Sequence, residues 1–214
     1  IFAWDKFHLK QILVKNNLIN GFVVGNYELQ NSLLKKQENL DAIFKNYKKN
    51  KYVLFLDDYD GNVVRDKYIF TKKYNEFMYE ICKQNPDIFF IFKNRPYAQI
   101  PVPGQDQINL LQNTIIYNDV LDLSSFLGWS KIKAVGGVSS QGLYVASKLN
   151  IPTFRIYFKT LQKPIPIIDR NVQLIQNQTQ LNKFLKIKTN LSRTCQNLDI
   201  ESISGKIIKI ISKK

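Results

Sequence analysis

Histidine is nearly absent from this chain: His8 is the only one in 214 residues. A Ser-His-Asp triad or a His-rich metal site would have one imidazole to work with, which argues against both. Cysteine is almost as scarce. Cys82 and Cys195 are far apart in sequence and fit no metal-ligand spacing, so free thiols of a reducing compartment are expected. No apolar run approaches the ~18 residues of a membrane-spanning helix, and no signal peptide opens the chain. Acids are the minority charge, 17 Asp and Glu against 31 Lys and Arg, for a formal net charge of +14. An RNP-type aromatic motif, a zinc finger and a basic helix are all missing, which argues against nucleic acid as the partner. An anionic membrane surface or a polyanionic ligand remains. An AT-rich genome, favouring Lys and Asn, would give the same excess with no functional content.

The composition that is present, 44% hydrophobic and 22% charged, is that of a globular chain. It opens on Ile1 rather than Met, and we read it as a piece of a longer protein. Residues 4–18 have helical spacing, 21–24 form a short strand pattern, and 31–47 are rich in Lys, Gln and Asn. After a basic hinge at 48–51, apolar runs and helical patterns alternate. The runs at 52–56 (YVLFL), 88–92 (IFFIF), 114–117, 132–135, 154–157 and 172–175 read as strands buried on both faces or nearly so. Helical patterns fall at 70–81, 121–127, in the stretch closed by Asn150, and at 180–187 and 202–211; Pro96, Pro101, Pro103 and Gly104 mark an irregular loop. This alternation predicts an α/β fold, a Rossmann-like parallel sheet with helices on both faces. The expected division is 1–47 as the end of a preceding domain and linker, 48–190 as the Rossmann-like domain, and 191–214 as a closing helical tail.

Residues 134–157 carry the most information. A short apolar run leads into the small-residue turn Gly136-Gly137-Val138-Ser139-Ser140, then a helix, then a second strand. Ligands of open α/β sheets bind at such turns, at the carboxyl ends of strands. Hydroxyls and backbone N–H groups at a helix N-terminus suit a phosphate. The plain alternative is a glycine turn with a serine cap. Lys93 and Arg95 follow the second buried strand, where two cations could neutralise a diphosphate or a sugar carboxylate, or simply form a basic loop.

The first buried strand runs into Asp57-Asp58-Tyr59-Asp60-Gly61-Asn62. Asp58, Asp60 and Gly61 fit the D-x-D-G-T frame of haloacid-dehalogenase-type phosphotransferases, with Asp58 as nucleophile, Asp60 as acid/base and Mg²⁺ between them. Asn62 replaces the Thr of that frame, Lys93-Asn94 stands where Ser or Thr is expected, and Asp119 and Asp122 lack the Gly of the later acidic pair. A solvated acidic turn is the alternative.

In order, VVGN (23–26), YVLFLDD (52–58), NPDIFFIFKNRP (85–96) and the stretch from Asn113 to Ile156 resemble the C-terminal, donor-binding half of GT-B-fold glycosyltransferases. The likeness is to bacterial surface-carbohydrate and capsule polysaccharide biosynthesis enzymes. It covers roughly residues 21–211 and lies in order and spacing rather than in any one motif. Ser139 and Ser140 match the family's donor turn, and Ile151-Pro152-Thr153 the segment after it. Lys131 departs from an acidic position, and Glu201 and Ser202 replace a Gly step in the tail. Asn94 to Pro96 stands where related sialyltransferases carry His-Pro, which argues against a sialic-acid donor. The resemblance implies a glycosyltransferase that takes a sugar from a nucleotide sugar and passes it to a glycan or lipid-linked acceptor. A cytoplasmic enzyme is expected, and the excess of Lys would bring it into peripheral contact with an anionic membrane. No metal and no cofactor beyond the donor is implied. Gly136, Gly137, Val138, Ser139, Ser140, Lys93 and Arg95 would bind the donor phosphates, and Asp58 is the catalytic candidate, the base being usual to the other domain. A Mg²⁺-dependent phosphotransferase using Asp58 and Asp60, and a non-catalytic module binding a polyanion or membrane, are the alternatives.

Overall fold

Continuous apolar runs of five residues have no polar face to give to water, so they pair where both faces are covered. The computed structural model places them so. It describes residues 2–3, 22–23, 40–47, 49, 51–57, 64–94, 105–117, 123–164 and 169–186. The helices expected at 4–18 and 202–211, the loop at 96–104, and Asp58, Asp60, Arg95, Asp119, Asp122 and Cys195 lie outside the described residues.

The chain divides into two units, Ile1–Lys36 with Gln196–Lys214, and Gln37–Cys195. In the first, strands β1 (Phe2–Ala3) and β2 (Phe22–Val23) pair in parallel. The second contains strands β3 (Tyr52–Asp57), β4 (Phe89–Asn94), β5 (Thr114–Tyr117), β6 (Ile132–Gly137), β7 (Thr153–Ile156) and β8 (Val172–Ile175). They form one sheet in the order β5-β4-β3-β6-β7-β8, and every pairing is parallel. Between and around them lie helices α1 (Leu40–Ile43), α2 (Lys67–Gln84), α3 (Gln105–Asn109), α4 (Leu123–Gly128), α5 (Gly142–Lys148) and α6 (Gln178–Lys186).

Side chains alternate across the sheet. On one face Val53, Phe55, Phe90, Phe92, Ala134 and Phe154 join a single core with Phe70, Tyr74, Met78 and Ile81 of α2 and with Leu181 and Leu185 of α6. Cys82 is buried there as a free thiol, and burial pushes its pKa well up. On the other face Tyr52 stands against Trp129 (ring centres 4.5 Å apart), and Phe44, just past α1, stacks on Trp129 at 5.4 Å. α4 and α5 pack there too: a Cβ added at Gly142 would lie 2.5 Å from Leu56 Cδ1 and 2.6 Å from Leu123 Cδ2. Helices therefore cover both faces. The sheet thins at its edges, where β8 exposes Gln173 and Leu174.

Local sequence sets the helix ends. α2 begins at Lys67, earlier than its apolar spacing alone indicates, because Asp66 caps it by accepting the N–H of Ile69 at 2.9 Å. α5 ends at Lys148 and is closed, as the spacing indicates, by Asn150. Asn150 takes a left-handed φ of 56°, its N–H donates to Ser147 O, and the N–H of Ile151 donates to Ala146 O. That pair of bonds is a Schellman motif with Asn in place of Gly.

Candidate functional site

Numbered from β3, the sheet order is 3-2-1-4-5-6, that of doubly wound nucleotide-binding folds. The chain builds outward from β3 through β4 to β5, then returns to β3's other side and builds outward through β6 and β7 to β8. The chain therefore turns to opposite sides after β3 and after β6, which makes their carboxyl ends the topological switch point, the place where ligands of open α/β sheets bind. Leu56 and Gly137 are register partners at that point.

One register row crosses the sheet there: Tyr117, Lys93, Leu56, Gly137, Arg155, Leu174. Residues in one row share a face. Two cations thus flank the Leu56–Gly137 pair on the face that carries α4 and α5, about 14 Å apart at the backbone by three strand spacings. Lys93 Nζ stands 6.0 Å from the ring centre of Tyr117 and 5.9 Å from that of Phe126. Both rings lend it cation–π attraction.

Arg155 was invisible to motif reading. It is buried, and its Nε donates to Val138 O at 2.8 Å. Burial pulls the guanidinium down to about 10, with Tyr157 acting in the opposite sense, so the charge persists at neutral pH. The available signal was an arginine inside the apolar strand TFRI, a residue type seldom buried without a task.

The turn after β6 is held tightly. Gly137 lets the two central strands close up, since a Cβ there would lie 2.8 Å from Leu56 O. The side chain of Val138 enters the α2-side core, so only its backbone is left for a ligand. Ser139 is half-buried. Ser140 is buried two residues before α5, and its Oγ accepts the N–H of Gly142 at 3.2 Å. A hydroxyl that accepts one bond keeps its hydrogen for donation. Gly136 belongs to the opposite face. It pairs with Phe55 and Phe154, and a Cβ on it would come within 2.2 Å of Phe154 Cζ.

The far end of α5 is anchored as well. Asp169, buried before β8, accepts Ser147 Oγ at 3.1 Å and the N–H of Asn171 at 2.9 Å, and pairs with Lys148 Nζ at 2.7 Å. Burial alone would raise its pKa, but Lys148, the Asn171 N–H and Ser147 together hold it below the usual carboxylate value.

Of the expected residues, Lys93, Gly137, Ser139 and Ser140 thus lie toward the carboxyl edge of the sheet, Val138 offers only its backbone there, and Gly136 faces the opposite side, against Phe154. Asp58 and Arg95 lie outside the described residues, though β3 and β4, which lead into them, end side by side, with Asp57 and Asn94 in register.

No protein-family model and no curated protein matches this chain. Solved structures share its fold. It is similar to the Methanocaldococcus jannaschii UDP-GlcNAc 2-epimerase in complex with UDP-GlcNAc and UDP, at 20% identity and a TM-score of 0.67, covering 100% of this chain and 61% of that one. It is also similar to S. aureus MnaA in its UDP co-structure, at 14% identity and a TM-score of 0.62 over 99% of this chain and 58% of that one. A third likeness is to the wall teichoic acid polymerase TagF, at 13% identity and a TM-score of 0.55 over 99% and 56%. The chain spans about six-tenths of the length of these proteins, and what it has in common with them is a Rossmann-like fold, found in a UDP-GlcNAc 2-epimerase and in a wall teichoic acid polymerase.

Proposed function

We propose that this chain is the donor-binding part of a glycosyltransferase that draws on a nucleotide sugar in bacterial surface-polysaccharide synthesis. The observation that carries the reading is the pair of cations, Lys93 and Arg155, flanking Leu56 and Gly137 in one register row at the switch point. Two of the structures with this fold contain UDP. In this reading the diphosphate lies over the Leu56–Gly137 seam, beneath the Ser139-Ser140 turn.

Glycosyl transfer breaks the bond between the anomeric carbon and the diphosphate oxygen and forms one from that carbon to an acceptor hydroxyl oxygen, whose proton passes to a base; the nucleotide leaves with added negative charge. Lys93 supplies a cation from one side of the seam and the turn hydroxyls donate from the other. Groups fixed beforehand need no reorganisation as that charge develops. Arg155 acts through the turn, holding Val138 O and so the backbone of Ser139 and Ser140. Asp58, just beyond the end of β3, is the proposed catalytic group, and Arg95 a second phosphate contact. The acceptor is a glycan or a lipid-linked glycan.

The test is calorimetric titration of the chain with UDP and CDP. Replacing Ser139 and Ser140 together by Ala should weaken binding by about 1–3 kcal/mol, the range for charge-assisted hydrogen bonds. Unchanged affinity would return both serines to capping and remove the turn from the donor site.

A further inference from the structure

The outward face of α2 carries a surface that the donor reading leaves unused. α2 starts soon after β3 leaves the carboxyl edge of the sheet, and residues 157–164 follow β7 off the same edge. Two backbone contacts lay these segments side by side: Arg65 N donates to Leu161 O at 2.9 Å, and Val64 bridges Gln162 in antiparallel fashion. Nearly two turns into α2, Lys73 Nζ stands 5.3 Å from the Phe158 ring centre. Arg65, Lys67, Lys72 and Lys73 are exposed on one side of this junction, Lys159 and Lys163 on the other. Among the described residues of this stretch the exposed carboxylates are Asp66 and Glu76, so six cations less two anions leave +4. Asp66 is also engaged in capping Ile69.

Two large apolar side chains stand among these cations. Tyr68 is 67% exposed and Ile69 is 52% exposed. Lys72 lies four residues beyond Tyr68, and Lys72 and Lys73 lie three and four beyond Ile69, so each apolar group has cations beside it on the helix surface. α2 meets its core through Phe70, Tyr74, Phe77, Met78 and Ile81, and needs neither residue for that. An aromatic and an aliphatic tip with cations beside them is the composition of an interfacial membrane contact. The tips enter the acyl boundary and the cations meet anionic headgroups.

We propose that the first turns of α2 and the 157–164 segment dock this chain onto an anionic phospholipid surface. Charge complementarity selects anionic headgroups. Tyr68 and Ile69 select a bilayer over nucleic acid or a soluble polyanion, which offer phosphates but no apolar layer for an isoleucine to enter. Both segments leave the carboxyl edge, so docking turns the carboxyl ends of β3 and β6 toward the bilayer. The proposal rests on this surface and not on the donor reading.

Co-sedimentation of the 214-residue chain with vesicles tests it, using phosphatidylcholine alone and equimolar phosphatidylcholine and phosphatidylglycerol. Binding is expected only to the mixed vesicles. The variant Lys72→Gln/Lys73→Gln/Lys159→Gln should lose on the order of 100-fold in vesicle affinity, from about 1 kcal/mol per basic residue at the surface. The control Lys45→Gln/Lys51→Gln/Lys83→Gln, with the same change in net charge, should stay within about threefold of the parent. Tyr68→Ser/Ile69→Ser should lose about tenfold with every cation intact. Circular dichroism and thermal unfolding should be unchanged in all three, since every altered side chain is exposed. A Tyr68→Trp probe should shift its emission to the blue on mixed vesicles. Equal losses in the patch and control triples would overturn the proposal in favour of bulk charge. Full binding by Tyr68→Ser/Ile69→Ser, or a Tyr68→Trp emission that vesicles do not move, would overturn it in favour of polyanion binding, which a titration with RNA would then reveal.

Discussion

The two halves of the sheet meet the same requirement in opposite ways. The half built from β3, β4 and β5 fills space with rings. Phe55 stacks on Phe92 at 5.2 Å, Tyr52 lies 5.5 Å from Phe89, and Tyr117 lies edge-on to Phe126 at 5.4 Å. The half built from β6, β7 and β8 removes side chains and adds polar pins. Gly136, Gly137 and Gly142 clear the way for Phe154 and Leu56, while Arg155 and Asp169 tie down the two ends of α5. Ring packing spreads its energy over many contacts, whereas a glycine contact or a buried pin turns on one atom. The candidate site lies on the seam between the halves, taking a ring-flanked lysine from one and a pinned turn from the other.

The largest expected effects compare one residue from each half. Phe55→Ala deletes a buried ring and should cost about 3–5 kcal/mol. Gly136→Ala adds one methyl against Phe154 and should cost about 3 kcal/mol, at the upper end for overpacking. Urea denaturation of both variants checks this. The sharper measurement is the double variant Gly136→Ala/Phe154→Leu, which should be less destabilised than the sum of its singles. Strict additivity would mean that the ring does not lie across Gly136.

Asp169 comes next. Asp169→Asn should cost about 1–3 kcal/mol at neutral pH, below the figure for a fully buried pair because Lys148 still reaches solvent. The sign of the pH dependence follows from the depressed pKa. The carboxylate's contribution is fully present above its unfolded value of 3.8 and is lost as pH falls through the lower folded value. Thermal melts of parent and variant should therefore differ at pH 7 and converge in acid; a constant difference would remove the Asp169 network from the account.

The seam itself is probed through ligand affinity. Lys93→Met should weaken UDP binding by about 1–2 kcal/mol with little change in stability, because it removes a charge from a half-exposed position. Arg155→Lys should weaken UDP binding by about 1 kcal/mol and also lower the melting temperature, since it loosens the turn as well. Equal stability effects from the two would erase the distinction between a contact residue and a pin. The smallest effect is at the end of α5. Asn150→Gly should be neutral or stabilising by up to about 1 kcal/mol, and Asn150→Ala should cost about 1 kcal/mol, both through the left-handed φ. Chemical denaturation resolves that sign.

Much of the scaffold was legible because it is written in local pattern. The runs at 114–117 and 172–175 are strands at those bounds, and Asn150 closes α5 as its spacing indicates. The turn from Gly136 to Ser140 could be picked out because a glycine pair followed by two serines stands out between apolar runs. The roles within it could not. Gly136 and Gly137 are neighbours in sequence, yet one makes room for a ring on one face and the other for a strand backbone at the seam. Arg155 escaped notice because its partner, Val138 O, is 17 residues away. α3, five residues at Gln105–Asn109 after a Pro-rich stretch, is too short to show a period.

By itself the sequence determined that strands and helices alternate, that the strands are buried, and where the small-residue turn lies. Those are properties of residues within a few positions of one another: apolar spacing, capping groups and backbone preference. Only the tertiary structure decided that the strands stand in the order β5-β4-β3-β6-β7-β8, and hence that Leu56 meets Gly137 and that Lys93 and Arg155 share a row. Parallel neighbours are chosen by packing between segments far apart in the chain, so no local pattern records which strand lies beside which.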